Sequence, residues 1–248
     1  CTSPKTHLDL IPQDLGLGPY DAGFRRYELA DAECRRVLTP PADMDPAVLG
    51  WWTFDESEGS TIADDWSGHA RGGLIENAAL VPGRFGRALS CRGGSVTIPR
   101  GAMTDDLDEI TVEAWIRCDA PGQSDKWFVN NVFNRGDSGF RFGLSGGKLC
   151  FAIPSSPWSH HLAAGDPVPV GTWVHVAGTY DGQAIRLYLN GKECGSMPRS
   201  GPVMGNQSSL SLGNYDRNHT AFFTGLLDDV RIYRRALSAQ EIAQRAAR

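Results

Sequence analysis

The sequence predicts an all-β protein, an antiparallel β-sandwich, on three observations. Trp173, His175 and Ala177 alternate with Val174, Val176 and Gly178, the two-residue period of a strand with two unlike faces. Asn190-Gly191 supplies the positive φ values of a two-residue hairpin turn. Short strand-like runs recur at regular spacing, broken by Gly and Asp, which favours a sandwich over a parallel sheet crossed by helices.

Taken in order, residues 1–48 read as an N-terminal extension and residues 49–248 as the sandwich domain. Residues 2–22 carry Pro4, Pro12 and Pro19 without sustained periodicity, as in a tether or a segment laid along the sandwich. Over 23–38, Phe24, Tyr27, Ala30, Cys34 and Val37 or Leu38 recur at spacings of three and four, which predicts a short helix ended by Thr39-Pro40-Pro41. The sandwich begins at Leu49, with Trp51, Thr53 and Asp55 alternating with Trp52 and Phe54. Ala88–Cys91 and Ser95–Ile98 read as a strand pair around Arg92-Gly93-Gly94, and 110–118 as a longer central strand. Strands follow at 127–134, 139–144 and 148–153. In the hairpin, Ile185, Leu187 and Leu189 share one face and Arg186 and Tyr188 the other. A last strand lies within the run that starts at Gly225. Ser238-Ala239-Gln240-Glu241 then sets up a capping box for a short C-terminal helix over 242–247.

A chain of 248 residues is long enough to bury a substantial core. Its net charge of -5 gives no electrostatic case for nucleic acid, which wants a basic stripe. No apolar run approaches the ~20 residues of a membrane-spanning helix. The six cysteines, at 1, 34, 91, 118, 150 and 194, make no Cys-x-x-Cys pair and no zinc-spaced cluster with His. Cys118, Cys150 and Cys194 fall where disulfides across a sandwich can form, or where buried thiols can act as small apolar residues. A chain beginning at Cys1 is what a bacterial lipoprotein leaves after its leader is removed and the new terminus acylated, although a chain cut elsewhere starts the same way.

Several runs occur together, and in order: Trp51-Trp52-Thr53-Phe54-Asp55-Glu56, Asp65-Trp66-Ser67-Gly68, Gly83 to Leu89, Thr111 to Ile116, Trp173 to Gly182, Leu187 to Lys192 and Gly225 to Ser238. From about residue 49 onward the chain resembles the laminin-G-like domains of the concanavalin A-like lectin and glucanase superfamily. The resemblance implies a jelly-roll sandwich. It implies much less about function, because that superfamily includes lectins, adhesion modules, glycoside hydrolases and polysaccharide lyases.

It also implies a structural calcium ion, with Asp228 at the position where relatives carry a ligating Asp. The first strand's Asp55 and Glu56, and carbonyls near them and in the Gly93-Gly94 turn, would complete six to eight oxygens. Alternatively, these acids mark a solvated strand edge. A saccharide site needs aromatic faces and planar polar groups, and three segments offer both. They hold Trp127, Asn131 and Arg135; Trp158 and His160; and Tyr215, Arg217 and Asn218. Each residue taken singly is equally at home as loop packing. A His at the position of His175 recurs in non-catalytic relatives and reads as structural.

Enzyme chemistry finds less support. A retaining glycosidase needs two carboxyl groups about 5 Å apart, and the strand that would carry them in laminarinase-like relatives holds Glu113 alone. There is no Gln-x-His of the jelly-roll lyases, no Gly-x-Ser-x-Gly elbow and no phosphate-binding glycine loop. The reading is an extracytoplasmic, non-catalytic recognition module for glycans or a cell-surface protein. The alternatives are a hydrolase or lyase with displaced catalytic residues, or a protein-binding structural domain of the envelope.

Overall fold

The computed structural model describes residues 36–99, 105–120, 126–132, 138–156, 159–214 and 222–248. Along them run sixteen strands, β1 (Val48–Trp52), β2 (Ile62–Ala63), β3 (Gly73–Glu76), β4 (Ala79–Pro82), β5 (Arg87–Ser90), β6 (Ser95–Ile98), β7 (Ile110–Cys118) and β8 (Lys126–Asn130), then β9 (Arg141–Ser145), β10 (Lys148–Ser156), β11 (Ser159–Pro167), β12 (Trp173–Tyr180), β13 (Ala184–Leu189), β14 (Lys192–Pro198), β15 (Leu210–Leu212) and β16 (Gly225–Tyr233); one helix, α1 (Ala239–Ala246), follows. They form two antiparallel sheets. The first has the order β14-β13-β12-β7-β16-β5-β4, with β1 also on β16; the second has the order β11-β10-β9-β8-β15-β6-β3-β2.

Strand β16 carries two partners on one side. Leu226 and Leu227 pair with β5, whereas Val230 to Tyr233 pair with β1. The changeover falls at a register shift between Asp228 and Arg231, where Asp229 takes the left-handed conformation at φ 48. A bulge of this kind re-aims side chains, and here it serves both adjacent acids.

Alternation fills the space between the sheets. Val112, Ala114 and Ile116 of β7 meet Phe142, Phe151 and Ile153 of the second sheet in one core. Phe128, Phe142 and Phe151 make successive edge-to-face contacts with centroids 5.0 and 5.5 Å apart. Gly178 of β12 leaves the gap that Phe151 fills, since a Cβ there would lie 2.7 Å from Phe151 Cδ1.

The outer face of the first sheet is occupied by the chain itself. Leu237 and Ile242 pack on Val48, Ala177, Tyr188 and Tyr233, with Met44 alongside. The Ser238–Glu241 capping box is formed, as the sequence predicts. The guanidinium of Arg235 ties α1 to the segment before β1, donating to Asp45 Oδ2 and Glu241 Oε1. Asn190 and Gly191 have φ 49 and 79, the hairpin turn expected of them.

Two expectations shift. Residues 36–38 are not helical, and the rest of the helix predicted over 23–38 lies outside the described residues. Among the described residues, Cys91, Cys118, Cys150 and Cys194 form no disulfide. Cys118 faces the core and Cys150 clusters with Trp127 and Ala152 on the other side of the second sheet. Cys194 on β14 is three strands from Cys118 on β7, some ~14 Å at strand spacing, beyond disulfide reach. Cys91 is a buried free thiol, which burial pushes far up from its ordinary pKa.

Candidate functional site

The outer face of the second sheet is built by register. Leu74 stands opposite Thr97, Thr97 opposite Ser211, Ser211 opposite Asn130, Asn130 opposite Arg141, and Arg141 opposite Ala152. Directly opposed residues share a face. The neighbouring row, Ile75, Val96, Leu212, Val129, Phe142 and Phe151, is the core. At the centre of the outer row Ser211, Asn130 and Arg141 are half-buried, while Leu74 and Thr97 on one side and Ala152 on the other are buried. Thr97 Oγ1 donates to Glu76 Oε2 at 3.4 Å. Trp127 packs beside this row on Cys150 and Ala152, and the guanidinium carbon of Arg141 lies 4.8 Å from its ring centroid. Hydroxyl, amide, guanidinium and indole thus stand on three adjacent strands with small side chains around them.

The predicted calcium acids grip a turn. Gly83 N donates to Gly86 O at 3.0 Å, and Asp228 Oδ2 accepts from Arg84 N and Phe85 N at 2.8 and 2.9 Å. Asp55 Oδ1 accepts from Arg87 N at 2.7 Å on the other side. Side chains are excluded at both glycines: a Cβ on Gly83 would lie 2.7 Å from Asp228 Oδ2, and one on Gly86 2.1 Å from Asp55 Oδ1. Asp228 is fully buried, and its Oδ1 has no hydrogen-bond partner among the described residues. Burial pushes its carboxyl up to about 7, against the two turn amides and with the charges of Asp229 and Asp55 adding to the rise. Glu56 Oε1 accepts from Asp64 N at 2.7 Å while its Oε2 is buried without a donor among the described residues, and burial raises its pKa too.

Orphaned buried carboxylate oxygens are what a hard cation satisfies, and Asp228 Oδ1 and Glu56 Oε2 are of that kind, with the exposed Asp55 carboxylate on the other side of the turn. The wider predicted shell is not drawn together. Among the described residues no three His, Cys, Asp or Glu side chains form a metal cluster. Gly94 lies in the turn beyond the far end of β5, against Asn77 and seven residues on from Arg87, so that the length of β5, about 10 Å, separates it from the Asp55 end of the turn.

The single acid on β7 has a different role. Glu113 accepts from His175 Nε2 at 3.2 Å, Tyr233 Oη at 2.7 Å and Arg245 at 3.1 Å. This acid and histidine converge inside the protein, under α1, with no open groove between them. Burial raises the Glu113 pKa, but the His175 hydrogen bond and the charges of His175, Arg245 and Arg231 outweigh it and hold the carboxyl at about 2. His175 is a structural histidine here.

Of the predicted saccharide residues, Trp127 joins the outer row. Asn131 is buried; its carbonyl accepts from Asn206 Nδ2 at 2.7 Å and its own Nδ2 has no partner among the described residues. Following Asn130 on the strand, it belongs to the opposite face. His160 pairs through its backbone with Pro154, and its side chain is outside the described set. Arg135, Trp158, Tyr215, Arg217 and Asn218 lie outside the described residues. Sequence reading missed Arg141, Ser211 and Thr97. The alternation of Arg141 and Ser145 with Phe142 and Leu144 marks an outward face, but only register brings Ser211 and Thr97 beside it.

The chain is similar in fold to several solved domains. Domain 4 of AbnA, an extracellular GH43 arabinanase of Geobacillus stearothermophilus solved with arabinotriose, superposes with a TM-score of 0.63 at 23% identity over 80% of this chain and 98% of that one. The binding domain of Paraclostridial Mosquitocidal Protein 1 gives 0.61 at 18% over 81% and 52%. The ligand-binding domain of botulinum neurotoxin serotype D, solved with N-acetylneuraminic acid, gives 0.62 at 15% over 83% and 52%. The chain therefore spans about half of each toxin domain. At these identities the likeness establishes the shared fold. A comparison with curated proteins gave no match. The profile of one family fits residues 91–243, the stretch that supplies most of both sheets and α1, and by that match the chain belongs to the Laminin_G_3 family of the concanavalin A-like lectin/glucanases superfamily.

Proposed function

We propose that this protein is a non-catalytic recognition module that binds glycans across the outer face of the second sheet. The observation that carries the reading is the row of Ser211, Asn130 and Arg141 beside Trp127, on the face that α1 does not cover. Sugar hydroxyls pair with planar polar groups, and the half-buried Asn130 and Arg141 with Ser211 are groups of that kind, while Trp127, 4% exposed, backs the Arg141 guanidinium from beneath. The arabinotriose and N-acetylneuraminic acid complexes of structurally similar modules support the ligand class. The segments holding Trp158, Tyr215 and their neighbours belong to the same proposal.

A calcium ion on Asp228 and Asp55 would be structural, fastening the 83–87 turn to β16. Function outside the cytoplasm, with membrane attachment through an acylated Cys1, completes the reading; mass spectrometry of the native N-terminal peptide tests that part.

A glycan-array screen, followed by product analysis on any glycan retained, tests the binding claim. Binding without products, lost in Asn130→Ala and Arg141→Ala variants of unchanged melting temperature, is the expected result. Released products would replace the module with an enzyme, and retention of binding in both variants would move the site elsewhere.

A further inference from the structure

The segment that enters β1 is led around the edge of the sandwich. Met44 packs with the cluster under α1, and Asp45 is held by Arg235, both on the outer face of the first sheet. Upstream of them Pro40 lies against Gly68, 3.3 Å from where a Cβ would stand. Farther upstream Arg36 pairs with Asp64, two residues past Ile62 of β2, and β2 is the edge strand of the second sheet. Followed toward the N-terminus, the chain thus crosses from one sheet to the other and arrives at Arg36 beside the β2 end of the outer row.

That end of the row is covered. Ile62 stands opposite Leu74 and Leu74 opposite Thr97. Ser95, two residues from Thr97 on β6, shares its face. Leu74, Thr97 and Ser95 are 8%, 7% and 1% exposed. Yet among the described residues Leu74 belongs neither to the core between the sheets, nor to the cluster under α1, nor to that of Trp127. Ser95 Oγ is likewise buried with no partner among the described residues. An outward-facing leucine near a sheet edge with nothing above it would be largely exposed. The deep burial stops at β15, where Ser211 is half-buried. The covered strip is therefore β2, β3 and β6, two strand spacings or about 10 Å wide.

We infer that residues 23–35 dock on this strip as an amphipathic helix, over Ile62 and Leu74, and wall the outer row on its β2 side. Phe24, Tyr27, Ala30 and Cys34 recur at spacings of three and four, while Arg25, Arg26, Glu28 and Glu33 take other positions, which gives the segment one apolar stripe. A helix is about 10 Å across, the width of the covered strip. A helix this short is marginal in water, so its stability comes from burying the stripe. Ile62 and Leu74 supply the apolar surface for it, and the Arg36–Asp64 pair fixes the segment's end at the edge of the strip.

Hydrogen exchange read by mass spectrometry on the full chain is the test. Amides of 24–35 are expected to exchange about tenfold slower than an unstructured chain, and to lose that protection in Leu74→Gln and in Phe24→Gln, while amides of β7 and β16 stay protected in both. Phe24→Gln changes the segment alone, so its effect does not come from a disturbed sandwich. If Leu74→Gln unsettles β7, Ile62→Gln at the half-buried edge takes its place. Exchange of 24–35 at the unstructured rate in wild type, or protection that survives in either variant, overturns the assignment. Protection that rises with protein concentration gives the strip to a second copy of the chain and overturns it too. A failed glycan screen would leave this exchange pattern unchanged, so the docked segment and the glycan reading stand or fall separately.

Discussion

His175 Nε2 stands 3.2 Å from Glu113 Oε2, and both side chains are 2% exposed. Removing one member of a buried charged network leaves the others without compensation, at a cost of roughly 3–5 kcal/mol. Glu113→Gln is expected to lose stability of that order, measured by urea denaturation. The pH dependence has a defined sign. The folded carboxyl sits at about 2 against an ordinary 4.5, so its contribution is present above 4.5 and is lost as pH falls from 4.5 through 2. Wild type should therefore lose stability over that window more steeply than Glu113→Gln.

Asp229 combines a left-handed backbone with bonds to Trp51 and Arg231. Asp229→Ala keeps the strained φ and deletes the bonds, so a loss of about 2–4 kcal/mol is expected. Asp229→Asn tolerates the conformation and retains an acceptor for Trp51, and should cost less. If thermal melts gave the two variants equal losses, the left-handed backbone would contribute nothing measurable.

Gly178 faces Phe151 across the core, and the added methyl of Gly178→Ala must displace an aromatic ring that also contacts Phe142. Overpacking of this kind costs about 1–3 kcal/mol. Chemical denaturation should show that loss with an unchanged dependence on denaturant, since the surface exposed on unfolding is the same.

Calcium added to chelator-treated protein is expected to raise the melting temperature in a saturable way, because a ligand that binds only the folded state stabilises it. Asp228→Asn should abolish the increment. An increment that survives in Asp228→Asn would place the ion elsewhere.

The strands and their order of faces are legible in the sequence because alternation and turn chemistry are local. Residues 110–118, the Asn190-Gly191 turn and the Ser238–Glu241 box stand where the sequence puts them. What is not legible depends on which strand lies beside which. Ser211 and Asn130 are far apart in sequence and opposed in space. Glu113 looks like an isolated acid until β7 pairs with β12 and β16, which bring His175, Arg231 and Tyr233 around it. The distance of Gly94 from the acids is set by the pairing of β4 with β5, which the Gly93-Gly94 turn itself does not encode. The bulge at Asp229 has no distinct sequence signature, since Asp-Asp also reads as an ordinary polar strand edge.

The tie between Asp45 and Arg235 has a mechanical consequence. The segment entering β1 and the helix leaving β16 are clamped on one side of the sandwich, while the polar row faces the other. A load applied between a bound ligand and an anchor reached through residues 36–47 would cross the whole thickness of the fold. It would run along β1 against β16, where antiparallel hydrogen bonds must slide past one another together rather than open one by one. Single-molecule pulling from the N-terminal side should accordingly give a higher rupture force than pulling at the β14 edge.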